Sequence, residues 1–516
     1  MSASSGSEGN SSLPERFVPG HVLSSADVDL LRGLLTRREI DPAHRTSPLT
    51  YRRLVSGMEK LANAAHRIGV PLARLRDTAA GASGFLLVAF LLCLPLVWNI
   101  GYFSHDELQW LAFADKPSLR DVPWSAWFDF SPFQYRPLTF NLWLLLSHYI
   151  GYQPIAMHLV RVLFGLGAAW LLRSVMLQFD ATRWQATLAA WIWLLMPYTV
   201  YTHGWTGTYA DSLCLIFMLM ALRFVLRQPT GSWRQSAMGA LPVAALTSLA
   251  LMSKESAIVF PAAILIAAFR RRDRSVAAAF TASSIVVLIY LGLRLKTILF
   301  PHAVSSAYHW SLANIPARLT EYTIFPFMVG HFEVIASRDY LTGASLLCLA
   351  IFAAALLSTS WRRFAAFWLG WIVMLGPVLI LAQSSNHYAY LAGAFACAFV
   401  GLLWSHGRRL ARFTFALVAA VTVAHGIQEA KEMRDIGRIQ HHLYADLMPL
   451  LAHDTTPIRI EAQRNKDDFV LRRLLHDIPS FRRKPIMDRV SVISFADKTD
   501  KPDYRMRADG HLIPAR

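Results

Sequence analysis

The chain has 516 residues, 54% hydrophobic and only 16% charged, with a formal net charge of +17. So apolar a composition excludes an ordinary soluble domain and makes the bilayer the main solvent. The positive charge does not argue for nucleic acid, because much of it is arginine beside apolar segments, where orientation and anionic lipid account for it.

Residues 1–83 read as a cytoplasmic arm that opens with a Ser/Gly-rich low-complexity stretch and continues as a basic helical pattern from Leu54 to Arg76, suited to the inner leaflet. The apolar run starting at Gly84 lies too far along to be a cleaved secretory signal and is expected to stay as an anchor. A helix needs about 20 apolar residues to span. On that criterion eleven spans are expected: Gly84–Gly101, Ile155–Leu172, Trp184–Tyr201, Tyr209–Leu226, Ala237–Ser253, Ser256–Phe269, Val276–Leu295, Tyr340–Leu357, Phe364–Ala382, Tyr388–Trp404 and Phe413–Ile427. The expected fold class is an all-α polytopic membrane protein with residues 84–427 as its membrane domain. The four cysteines, Cys93, Cys214, Cys348 and Cys397, lie inside these runs, and no disulfide is expected.

Leu138–Gly151 is apolar but too short to span and is expected as an interfacial helix. With it excluded, the loops holding Arg173/Arg183, Arg223/Arg227/Arg234, Arg270–Arg274, Arg362/Arg363 and Arg408/Arg409/Arg412 all fall on one face, which the positive-inside rule makes cytoplasmic. The protein is then expected in a bacterial-type inner membrane, with its N-terminus cytoplasmic and residues 428–516 periplasmic. That tail reads as an amphipathic helix, Glu432–Leu451, followed by strand-like runs such as "RVSVISF", a small α/β cap. No internal repeat is evident.

This topology gathers scattered polar residues onto the outer face: Asp106, Glu107, Arg136, His203, Asp211, Lys254, Glu255, His387, Tyr388 and Tyr390. Ionisable groups at membrane depth cost roughly 2.5–3.5 kcal/mol each on insertion scales, so they usually line a polar cavity with a task. Each residue also has a plainer reading. The two acids can solvate a helix end, Arg136 and Lys254 can snorkel, His158, His203 and His387 can be hydrogen-bonded core groups, and the tyrosines can belong to an aromatic belt. Acids and cations together at a bilayer surface suit transfer of a sugar from a lipid phosphate: the cations hold the leaving phosphate and a carboxylate takes the acceptor proton. The loops Tyr102–Pro154 and Lys296–Asp339 are long enough to shape an acceptor groove, with Trp110, Trp124, Trp127 and Trp143 available for sugar stacking or interface anchoring.

The stretches "SHDELQW", "QYRPLTFNLWLLLSHYIGYQPIAMHLVRVLF", "MPYTVYTHGWTGTYADSLCLIF", "LALMSKESAIVFPAAIL" and "NHYAYLAG" occur in an order that resembles the GT-C glycosyltransferases. They look most like the branch containing the protein O-mannosyltransferases and those with tetratricopeptide repeats. The resemblance covers roughly Phe85–Trp404. It implies Asp106 as general base with Glu107 beside it, Arg136 in an Arg-Pro motif, Asp211 as the acid opening the fourth span, and Lys254–Glu255 as the Lys-Glu pair. His387 stands where that family usually has arginine, Arg161 replaces a common asparagine, and the repeat-bearing tail is absent.

The resulting expectation is an inverting glycosyltransferase using a polyprenyl-phosphate-linked sugar and a protein or glycan acceptor. Asp106, Glu107 and Asp211 are its catalytic acids, Arg136, Lys254 and His387 bind phosphate, and Glu255, His203, Tyr388 and Tyr390 bind substrate. Mg²⁺ or Mn²⁺ could bridge carboxylate and phosphate, although no spacing demands it. A transporter or lipid flippase is the alternative from another class, and a catalytically idle assembly partner is a third.

Overall fold

The computed structural model describes residues 72–228, 231–268, 271–299, 309–334, 342–453, 456–493 and 501–515. The chain divides into two units, Met1–Ala80 and Gly81–Arg516. Of the first, only residues 72–80 are described and they are helical, so the Ser/Gly stretch and most of the Leu54–Arg76 helix lie outside the described residues.

The membrane part of the second unit is built from helices α1 (Leu72–Val97, from Gly81 onwards in this unit), α4 (Pro154–Gln178), α5 (Arg183–Leu195), α7 (Tyr209–Arg227), α8 (Trp233–Ser253), α9 (Phe260–Ala267), α10 (Arg274–Leu299), α12 (Gly343–Thr359), α13 (Trp361–Leu375), α14 (Tyr390–Leu403) and α15 (Arg409–His453). Four shorter helices lie between them: α2 (His105–Leu111), α3 (Pro137–Ile150), α6 (Pro197–Gly204) and α11 (Ile315–Ile324). A helix thus stands at each expected apolar run. Among the described residues seven are long and apolar enough to cross a membrane, while the apolar stretches Gly81–Val97, Glu255–Ile266 and Gly343–Thr359 are shorter. The chain is a multi-pass membrane protein.

The expected span Trp184–Tyr201 is not one helix. Thr182 and Gln185 open α5 with a capping box, but Pro197 has no N–H to continue it, and Met196 before it is extended at φ −74°, ψ 150°. A new helix, α6, restarts with that proline in its first turn.

The arginine-bearing helix ends gather at one end of the bundle. Arg271 donates to the carbonyls of Val225 (3.3 Å) and Leu226 (3.2 Å) at the end of α7. Trp184 meets Trp404 edge to face at 5.6 Å. Phe364 packs with Trp404 and Ala411 in one apolar cluster. Both ends of α3 lie at the opposite end: Arg136 at its start pairs with Glu255, and Tyr102 donates to the carbonyl of Gly151 just past its end. This helix enters and leaves on one side and does not cross.

The expected amphipathic helix Glu432–Leu451 is no separate element. It continues the last span without a break in α15, whose 45 residues extend about 68 Å at ~1.5 Å per residue, far beyond a ~30 Å hydrocarbon core. Residue 428 therefore falls inside a helix rather than between domains. The projecting half carries a small α/β layer of β1 (Ile458–Ala462), α16 (Asn465–Leu475), β2 (Ser480–Phe481), β3 (Lys484–Pro485), β4 (Val490–Ile493), β5 (Tyr504–Met506) and β6 (Leu512–Pro514). Its four-stranded sheet has the order β4-β1-β5-β6, with β1 parallel to both neighbours (Ile458 opposite Val490, Ile460 opposite Tyr504) and β6 antiparallel to β5. The run "RVSVISF" supplies β4.

Two glycines let α15 approach its neighbours. A Cβ on Gly426 would sit 1.8 Å from the Leu195 carbonyl oxygen, and one on Gly437 would sit 2.0 Å from Oδ1 of Asn99. Backbone cannot yield as a side chain can, so Gly426→Ala should destabilise the fold by about 1–3 kcal/mol, read as a lower unfolding midpoint in detergent. An unchanged midpoint would contradict this packing.

Candidate active site

The two adjacent acids of α2 have different environments. Glu107 is 2% exposed, and its carboxylate accepts from the backbone N–H groups of Phe103 (2.8 Å), Ser104 (2.9 Å) and Thr206 (2.6 Å) and from the Thr206 hydroxyl (2.7 Å). Burial pushes this carboxyl above its ordinary range, against the downward pull of those hydrogen bonds. Glu107 is a brace between the first loop and the Thr206 loop, and a catalytic role is corrected on that ground: its oxygens are taken. Asp106 is turned the other way. Its side chain is 40% exposed, and Oδ1 lies 3.0 Å from Nε2 of His105.

Lys254 and Glu255, consecutive at the end of α8, also diverge. Lys254 is extended (φ −159°, ψ 142°) before a 3₁₀ turn over Glu255–Val259. Its ammonium turns inward, pairs with Asp211 at the first turn of α7 and lies 5.2 Å from the centroid of the Tyr388 ring, with both charged side chains 3% exposed. Glu255 turns outward and receives a forked contact from Arg136, Nε at 2.9 Å and Nη2 at 2.8 Å, with side chains 17% (Arg136) and 30% (Glu255) exposed.

Aromatic contacts connect these pairs to the Asp106 loop. The Trp205 ring, one residue before Thr206, lies 6.3 Å from Phe103 and 5.1 Å from His387. The His387 ring is 4.4 Å from Tyr388, and its Nδ1 is 2.8 Å from the Ser385 hydroxyl. The structure therefore brings the loops of Asp106, Arg136, Asp211, Lys254, Glu255, His387 and Tyr388 together at the end of the bundle opposite the arginine loops.

His203 and Tyr390 do not line this surface. Both are fully buried: His203 Nε2 lies 2.9 Å from the Tyr390 hydroxyl, which lies 2.9 Å from Ser212 Oγ, and Ser212 accepts from Arg161 at 2.7 Å. Arg161 also donates to the carbonyls of Thr202 (3.1 Å) and Thr208 (3.2 Å). The substrate-binding role expected of His203 and Tyr390 is corrected to a structural one, since both side chains lie wholly inside the core and bond to each other and to Ser212 there. His158 is of the same kind, its Nε2 3.0 Å from the Gly101 carbonyl. Trp110 and Trp143 stack on each other at 4.1 Å, while Trp124 and Trp127 are 42% and 43% exposed. Asp211 and Glu255, the acids nearest the phosphate-binding candidates, are each held by a cation, and among the described residues no three His, Cys, Asp or Glu side chains are grouped to hold a metal ion.

One organising residue carried no sequence signal. Arg473 on α16 donates to Glu333 (2.5 Å) and to the Tyr201 hydroxyl (3.2 Å), with its guanidinium 3.9 Å from the centroid of the Phe103 ring. On the far side of Glu333, Val334 N donates to Asn386 Oδ1 (2.9 Å) and Asn386 Nδ2 donates to the Phe332 carbonyl (2.9 Å). Arg473 thereby clamps the chain just before Asp106 and, through Glu333, the chain just before His387. Arg473→Met should speed amide hydrogen exchange at residues 101–106 and 331–334 while leaving α4 and α7 protected. Equal exchange in both proteins would show that the clamp holds nothing.

No protein-family model matches this sequence, and no curated protein matches it. Several solved structures are similar. The oligosaccharyltransferase of Archaeoglobus fulgidus, in complex with zinc and sulfate, is 12% identical with a TM-score of 0.42, the match covering 80% of this chain and 59% of that one. ArnT from Cupriavidus metallidurans, bound to undecaprenyl phosphate, is 15% identical with a TM-score of 0.34, covering 80% and 86%. The arabinofuranosyltransferase AftD from mycobacteria is 17% identical with a TM-score of 0.39, covering 76% and 29%. The chain thus spans 59% of the length of the archaeal protein it matches.

Proposed function

We propose that this protein is an inverting GT-C-type glycosyltransferase that moves one sugar from a polyprenyl-phosphate donor to an acceptor hydroxyl on the periplasmic side of the inner membrane. One observation carries the reading: a half-exposed carboxylate, Asp106, converges at one end of a helical bundle with two cations from distant segments, Arg136 and Lys254. The concentration of arginine at the other end supports assigning that end to the cytoplasm.

In this reading Asp106 accepts the proton of the acceptor hydroxyl as its oxygen attacks the anomeric carbon and the bond to the phosphate oxygen breaks. The polyprenyl phosphate leaves with the bonding pair, and direct displacement inverts the anomeric configuration. Arg136 is the main phosphate ligand. Its partner Glu255 is partly solvated and can be displaced, and a guanidinium matches phosphate with a two-pronged contact. Lys254 contributes positive potential from behind Tyr388 while its own contact stays with Asp211, and His387 offers a hydrogen bond at the rim. Glu107, His203, Tyr390 and Arg161 hold the frame.

The test is transfer by the purified protein in nanodiscs, with a panel of undecaprenyl-phosphate sugars and envelope acceptors, comparing wild type with Asp106→Asn. Turnover that survives the substitution rejects the base assignment, and a protein that carries lipid-linked sugars across the bilayer without transferring them is a flippase.

A further inference from the structure

The tail beyond the last span packs onto the loop of Asp106. Gln109 Nε2 donates to the His476 carbonyl (3.4 Å), and the His105 and His476 rings lie 5.4 Å apart. Asp115 accepts from Ser480 Oγ (3.2 Å), Arg483 N (2.8 Å) and the Tyr152 hydroxyl (2.9 Å), fastening the β2–β3 hairpin to the first loop. Between these fastenings a cleft of about 460 Å³ remains open, with Gln109, Trp110, Phe113, Ser125, Phe140 and Asp477 in its lining.

Three features of this cleft point to one chemistry. On α2, Gln109 and Trp110 follow Asp106 by three and four residues, so the cleft lies along the same helix face as the proposed base. Its floor is aromatic: Trp110, with one face stacked on Trp143 at 4.1 Å, meets Phe113 at 5.7 Å and Phe140 at 5.5 Å. Its polar groups are short and uncharged or acidic. Ser125 is fixed by its backbone, which both donates to and accepts from Asn141 (2.7 and 2.9 Å), and Asp477 is held outward in a left-handed turn (φ 51°) with its carboxylate 3.3 Å from Nε2 of His476. Flat rings that take C–H faces, beside an amide, a hydroxyl and a carboxylate that take O–H groups, suit a neutral carbohydrate, and the volume lies within the ~300–1,000 Å³ usual for small-ligand sites. A phosphorylated or acidic acceptor would find no cation among these lining residues.

We propose that this cleft is the acceptor subsite and that the acceptor is a neutral glycan rather than a protein hydroxyl, with the C-terminal α/β layer as one wall. The inference rests on the glycosyltransferase reading for its context, but glycan binding can be measured without turnover. The test is saturation-transfer NMR on the full chain in lipid nanodiscs, with neutral oligosaccharides in one arm and Ser/Thr peptides in the other. Saturation is expected to reach the ring protons of an oligosaccharide, with affinity at least tenfold weaker in Gln109→Ala and in Asp477→Gly. Asp477 is exposed and glycine accepts its positive φ, and Gln109→Ala gives up only one long, exposed hydrogen bond to His476, so unfolding midpoints should stay close to wild type. Failure of every oligosaccharide to bind, equal binding in both variants, or binding of peptides alone overturns the subsite. Glycan binding without turnover on any donor keeps the subsite and rejects the transferase. Turnover with an unaltered acceptor KM in both variants does the reverse.

Discussion

Asp106→Asn should lower sugar transfer by about 10²–10⁴-fold, the range general-base catalysis contributes, while the donor KM changes little. Asparagine matches aspartate in size, and the Asp106 side chain is 40% exposed and, among the described residues, in contact with the adjacent His105, so the substitution removes proton acceptance without opening a buried void. Steady-state kinetics at saturating donor separates the two outcomes. A loss confined to donor KM would make Asp106 a donor-binding group, and an unchanged rate would leave the proposed reaction without its base.

The second large effect is expected from Lys254→Met. Asp211 would keep its charge 3% exposed with its ammonium partner gone, and removing one member of a buried pair costs about 3–5 kcal/mol. The double variant Lys254→Met with Asp211→Leu removes both charges and should recover most of that loss, because an apolar replacement of a buried pair is often neutral. Unfolding midpoints of wild type, both single variants and the double complete the cycle. Additive losses would mean that the two residues stabilise the fold separately. Recovery of stability without recovery of transfer would assign the Lys254–Asp211 pair a part in catalysis beyond its part in the fold.

Asp106 and Glu107 show why a motif read from sequence assigns residue types better than roles. Both acids stand at the head of one short helix, and the one local signal that separates them is the capping-box spacing of Ser104 and Glu107, whose carboxylate takes the Ser104 N–H. Glu107 becomes a brace because Thr206, 99 positions away, presents an N–H and a hydroxyl to it. His203 is similar: it lies on the expected segment, but its partner Tyr390 is 187 positions distant and the pair closes inside the core. The break in the third expected span was legible, since Pro197 sits in the middle of the apolar run and the residue before a proline is driven from helical backbone. Arg473 was not legible. Its neighbours along α16, Phe469, Val470, Arg472 and Leu474, are those of any amphipathic helix, and its partners Phe103, Tyr201 and Glu333 come from two loops and α6.

The sequence by itself determined the solvent this chain folds in, the places where helices form, and the end of the bundle that collects acids and cations. Hydropathy and loop charge are local sums, and the bilayer acts on each segment before the segments meet. Which polar groups stay available and which are consumed as braces, and how the tail closes on the first loop, were decided only by tertiary structure. Those outcomes depend on hydrogen bonds between distant residues, from Glu107 and Thr206, 99 positions apart, to Asp115 and Arg483, 368 positions apart, and the strict directionality of such bonds leaves no periodic trace along the chain.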